Sequence, residues 1–148
     1  MHDFKKQILS DFKDLYSGPA WHGPNMVQTL QRFIDSSPEN RCKDSHSAVE
    51  ILAHITAWRR FTIEKLNGNR EYKMTDEMNF PKVNLANWEE ERANLEVVHF
   101  DLIEAITRFP DREWETLVPG KDYSYAKLLS GLLQHDTYHL GQLILLSK

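Results

Sequence analysis

Residues 128–146, LLSGLLQHDTYHLGQLILL, are mostly apolar yet carry two histidines, His135 and His139, four positions apart. Such a run predicts a helix with one face in a core. On a helix that spacing puts both imidazoles on the same face, one turn above the other. Leu128, Leu132, His135, His139 and Gln142 recur at steps of four, three, four and three, the interval of an inward-facing seam. Two imidazoles thus stand where leucine is the default filling. Buried ring nitrogens need partners, and a divalent metal satisfies both rings at once. A third ligand has to come from elsewhere in the chain.

The remaining segments are helical too. Phe4, Ile8, Phe12, Leu15 and Tyr16 mark a first amphipathic helix over residues 3–17, stopped by Gly18-Pro19. After Trp21-His22-Gly23-Pro24, a shorter helix runs through Met26, Val27, Leu30, Phe33 and Ile34 to about Ser37-Pro38. Ser47 with Glu50 three residues on is a capping box. It opens a helix through Ile51, Leu52, Ile55, Trp58 and Phe61 that ends at Asn67-Gly68. Residues 69–86 form a long polar connection, of a length that covers something or crosses the molecule. Asn87 is the expected cap of the next helix, with Glu89, Glu90 and Glu91 in its first turn, and that helix continues to Pro110. A second connection, residues 111–123, holds one helical turn around Trp114, and Ser124 caps the last helix. No strand alternation persists. The expected fold is all-α: a four-helix bundle with long crossover connections, formed as one domain over residues 1–148.

Composition excludes several functions. The chain has 148 residues, 27% charged and 41% apolar, enough for a core of ordinary globular kind. Its 22 acidic and 18 basic residues give a charge of −4, without a basic stripe, so no nucleic-acid partner is expected. No apolar run reaches membrane-spanning length, and the charged N-terminus is not a secretory signal. One cysteine, Cys42, excludes an internal disulfide and fits a reducing, cytoplasmic setting.

Of seven histidines, His2 near the terminus and His46 in a polar loop are assigned nothing. His54 lies one turn from Ile51 and one from Trp58, inside the apolar sector of its helix. With His135 and His139 it makes a facial set of three, two from one helix and one from another, which leaves coordination positions open. A core-edge histidine bonded to a backbone carbonyl or a side chain is the better reading of His54 alone and an equally good one of the His135 and His139 pair alone. His99 falls near the core seam and reads as a buried neutral histidine or a fourth ligand. His22 reaches a site mouth or ends a turn. Cys42 is a bystander thiol. Glu50 caps its helix or turns inward as a base. Gln142, one turn beyond His139, and Asp136, beside His135, are candidates to support the ligand rings, although Asp136 falls off the seam. Trp58, Trp88, Trp114 and Tyr138 are core or core-edge aromatics. Gly131 and Gly141 mark close approaches of a neighbour, since glycine within a helix costs about 1 kcal/mol relative to alanine.

Three segments, WHGP at 21–24, HSAVEILAHITAWR at 46–59 and the HDTYHLGQ core of the last helix, resemble the DinB-like metal-binding four-helix bundles. This is a bacterial superfamily related to the YfiT-type thiol transferases. The resemblance runs from about residue 21 to 148 in matching order. It implies that His54, His135 and His139 hold a divalent metal, the same three that helix geometry selects. Zn or Ni is expected first, with Fe or Mn next, because imidazole ligands discriminate poorly among such ions.

The resemblance also implies a small-molecule substrate, a homodimer and a metal-dependent reaction. Transfer of a low-molecular-weight thiol to a small electrophile comes first, and hydrolysis second. Three neutral imidazoles leave the ion its +2 charge, which lowers the pKa of a bound water to about 7 or holds a thiol as thiolate. The alternative is a metal-binding or stress-response module without turnover, favoured by the lack of an obvious base or nucleophile beside the histidines.

Overall fold

The computed structural model describes residues 3–148. It is all-α, with four long helices, α1 (Asp3–Ser17), α3 (Ala48–Leu66), α5 (Trp88–Arg108) and α6 (Tyr125–Leu146), and two short ones, α2 (Met26–Gln31) and α4 (Asp76–Asn79). Single 3-10 turns follow α2 and flank α5. Among the described residues β pairing is confined to an isolated bridge between Leu117 and Ser124. The long helices pack as a helical bundle in which α3 lies chiefly against α5 and α6.

Helix starts follow side-chain chemistry. The Ser47 and Glu50 capping box forms as expected, and Ser124 accepts from the backbone of Lys127 to open α6. Asn25 makes a further capping box with Gln28 on α2. Asn87 does not cap α5 through its side chain. The capping residue is Asn84, three positions earlier, at a 3-10 turn that leads straight into the helix. At the other end of α5, buried Lys5 donates to the carbonyls of Thr107 (3.2 Å) and Phe109 (2.6 Å), where a cation favours the helix dipole.

Two apolar clusters make the core. One gathers Phe12, Leu102, Ile106, Trp114 and Leu129. The other gathers Leu15, Met26, Leu52, Ile55, Leu95 and Leu143. Each fully buried leucine contributes about 1.5–3 kcal/mol of transfer free energy. On α3 and α6, Arg59 and Asp136 occupy the interval between the residues of the two clusters, and both are fully buried. The core is therefore interrupted by an ionic layer.

The inward face of α6 is offset from the expected seam. Its buried residues are Tyr125, Leu129, Leu132, Asp136, His139, Leu140 and Leu143, whereas Leu128, His135 and Gln142 are half-buried. Asp136 thus points into the core, contrary to expectation, because Arg59 is there to receive it. Tyr138 is exposed rather than core-edge. Nothing lies within 4 Å of a Cβ built on Gly131 or Gly141, so neither glycine marks a close approach.

Candidate metal centre

His54 on α3 and His135 and His139 on α6 come together, with one potential ligand atom from each and all of these within 4.8 Å of one another. His54 Nε2 and His135 Nε2 are 2.9 Å apart. What the opposite ring nitrogens do decides the chemistry. His54 Nδ1 donates to the carbonyl of Asn79 (2.5 Å), His139 Nδ1 to the Gln142 amide oxygen (2.7 Å) and His135 Nδ1 to Asp136 Oδ1 (3.3 Å). Each acceptor fixes the proton on Nδ1 and leaves a lone pair on Nε2. Lone pairs directed at one another are repulsive unless a cation sits among them. A proton bridges two nitrogens and a metal ion bridges three, so the donor set fits a metal.

Burial supports neutral, ligating rings. It pushes the pKa of His54 down to about 4, despite the opposing hydrogen bond to Asn79. It also lowers that of His139, against the bond to Gln142. Desolvation disfavours imidazolium, so His54 and His139 keep their lone pairs at neutral pH.

The support around the triad comes from three directions. Asn79, the last residue of α4, accepts from His54 through its carbonyl and from the Trp58 indole through its side-chain oxygen (2.8 Å). Phe80 stacks on His54 at 3.9 Å and 4°, and His46 stacks on the same Phe80 at 3.6 Å. Beneath α6, Asp136 Oδ2 accepts from Arg59 Nε (2.8 Å). The guanidinium also donates from Nη1 to His99 Nδ1 (3.2 Å) and lies over the Phe12 ring, while its Nη2 is buried without a hydrogen-bond partner. Tyr16 stacks on His99 at 3.9 Å. Burial and the neighbouring Arg59 charge hold the pKa of His99 down at about 4. His99 is therefore a buried neutral histidine whose Nδ1 is turned to Arg59 and away from the triad.

Two cavities flank the three rings. The first, about 310 Å3, is apolar; His135 borders it together with Trp58, Leu128, Gly131 and Leu132. The second, also about 310 Å3, has His139, Gln142, Phe80, His46 and Cys42 in its wall. Cys42 is thus an exposed free thiol at the rim of this cavity. Glu50 is committed to capping and accepts from His46, which removes it as a base for the site. His22 is exposed and bonds the Pro24 carbonyl, outside the site, and His2 lies outside the described residues. Sequence reasoning missed Asn79 and Phe80, which belong to a segment without periodicity, and placed Asp136 on the wrong face. The aspartate next to a ligand-spaced histidine and an arginine within an apolar helix face were the available signals.

No curated protein and no solved structure matches the chain significantly. A family model does match, over residues 22–143, a span that takes in all three histidines, Asn79, Arg59 and Asp136. By that match the chain belongs to the DinB superfamily.

Proposed function

We propose that the protein is a metal-dependent enzyme acting on a small molecule, with His54, His135 and His139 as the ligands. The observation that carries this reading is the convergence of one potential ligand atom from each of the three histidines, with His135 bordering an open apolar cavity. Structural zinc sites are closed by four protein ligands, whereas three ligands and a cavity are the form suited to catalysis. A divalent ion held there supplies Lewis acidity, which makes a thiol or a water nucleophilic near neutral pH.

The chain's own residues do the rest. Asn79, Gln142 and Asp136 orient the three rings. Trp58, Leu128 and Leu132 exclude water from the cavity wall, which is almost wholly apolar. Among the described residues no carboxylate lines that cavity, so they offer no general-base help for water there. This favours thiol transfer over hydrolysis, because a thiol needs less assistance to ionise. In transfer to an alkyl halide, the S–C bond forms as the C–halogen bond breaks. The halide leaves with the electron pair, and the thiol proton goes to buffer.

The zinc- or nickel-loaded protein, given a low-molecular-weight thiol and a bromomethyl electrophile, is expected to release halide faster than the uncatalysed mixture. Chelation or His139→Ala should abolish the acceleration. A fully metal-loaded protein that accelerates no such transfer with any thiol would leave a metal-binding module without turnover. The reading also has the protein in the cytoplasm, in keeping with its single cysteine, and as a homodimer, for which the exposed apolar Trp21, Tyr138 and Leu145 are the support.

A further inference from the structure

Beside the apolar cavity lies a larger one, about 490 Å3, with a different character. The two share Trp58 and Tyr123 in their walls, and the larger one extends to Asn79. Its charged lining consists of Lys65, Arg70, Lys73 and Lys121 against one carboxylate, Asp76. In a chain of net charge −4, this is a local reversal of sign.

Lys65 carries the argument. It is 3% exposed, and its ammonium donates to the neutral carbonyl of Arg70 at 2.9 Å. The Phe61 ring lies near it, with Lys65 Nζ at 5.5 Å and Lys121 Nζ at 5.9 Å from the ring centroid. Among the described residues none of the four cations is ion-paired. A buried ammonium is costly unless paired, and three further cations around the same cavity raise that cost. An anion entering the cavity removes it.

We infer that the substrate is an amphipathic organic anion. Its apolar part occupies the cavity beside His135, and its carboxylate or phosphate lies among Lys65, Arg70, Lys73 and Lys121. This rests on the triad reading for where the reacting end sits, but the anion pocket stands on its own lining. Trp58 marks the junction: its indole N–H is held by Asn79, and its ring borders both cavities.

The test uses 4-phenylbutanoate and 4-phenylbutanol, alike in their apolar portion and differing in charge. Binding to the zinc-loaded protein is followed through the Trp58 indole resonance, with zinc content measured on the same sample. The acid is expected to bind about tenfold or more tightly than the alcohol at low salt. The double substitution Arg70→Gln, Lys121→Gln, at two exposed positions, should lessen that difference, and Lys65→Met added to it should erase most of the rest, while the alcohol's affinity stays unchanged. Phenyl phosphate in place of the acid separates phosphate from carboxylate preference. Equal affinity for acid and alcohol overturns the inference. So does a preference that survives the triple substitution but disappears in His139→Ala, since the carboxylate would then sit on the ion. A protein that takes up no zinc on loading yet prefers the acid through Lys65, Arg70 and Lys121 would keep this inference and remove the metal-enzyme reading instead.

Discussion

Asp136 faces two ways: Oδ1 accepts from His135 Nδ1 and Oδ2 from Arg59 Nε. It therefore links the candidate ligand set to a buried cation, and the two jobs separate by mutation. Arg59→Met leaves a buried carboxylate unpaired and is expected to cost about 3–5 kcal/mol. Arg59→Met combined with Asp136→Leu removes both charges, and much of that loss should return, because a buried ion pair contributes little net stability over an apolar replacement. Metal affinity should move the other way, falling only in the double variant, since Asp136 still accepts from His135 in Arg59→Met. In the double variant the His135 ring has lost the acceptor that fixes its tautomer, and losing such a partner costs roughly 10–100-fold in affinity. Denaturant unfolding and zinc titration of the single and double variants check both halves. Zinc affinity in the double variant as high as in Arg59→Met would contradict the orienting role of Asp136.

At the scale of elements, what could be read from sequence was what one helix determines alone. The Ser47 capping box, the stops at Gly18-Pro19 and Pro110, and the shared face of His135 and His139 depend on neighbours three or four residues away, and each is found in the structure. What depends on a partner element was harder to see. The buried arc of α6 is offset so that Asp136 meets Arg59, 77 residues away in sequence, and no pattern within α6 records that. Segment 69–86 has no periodicity, yet it forms α4, whose Asn79 holds both His54 and Trp58. Gly141 shows the opposite error, since a conformational cost was taken to imply a packing reason. With open space around its Cβ direction, Gly141→Ala is expected to raise stability by about 0.5–1 kcal/mol through helix propensity. Thermal unfolding of the metal-free variant beside metal-free wild type measures it, and a lower midpoint would mean that the site is crowded after all.

Over the whole molecule, two apolar clusters on either side of an ionic layer give the bundle a core that needs no ion. Among the described residues no helix is long and apolar enough to cross a membrane. The exposed Trp21, Tyr138 and Leu145 are expected to be covered by a second copy, so sedimentation at micromolar concentration should give twice the chain mass. A monomer throughout would remove that part of the reading. Because the core stands without metal, His139→Ala should stay helical and unfold cooperatively, unlike small zinc domains that are unfolded without their ion. The central claim is that the three convergent imidazoles hold a metal. Elemental analysis of the purified protein beside His54→Ala, His135→Ala and His139→Ala, each checked as folded by circular dichroism, tests it most directly. The account predicts about one divalent ion per chain in the wild type, as a three-histidine site requires, and almost none in any folded variant. A wild type without metal after incubation with zinc or nickel, or full metal content in all three variants, would contradict it.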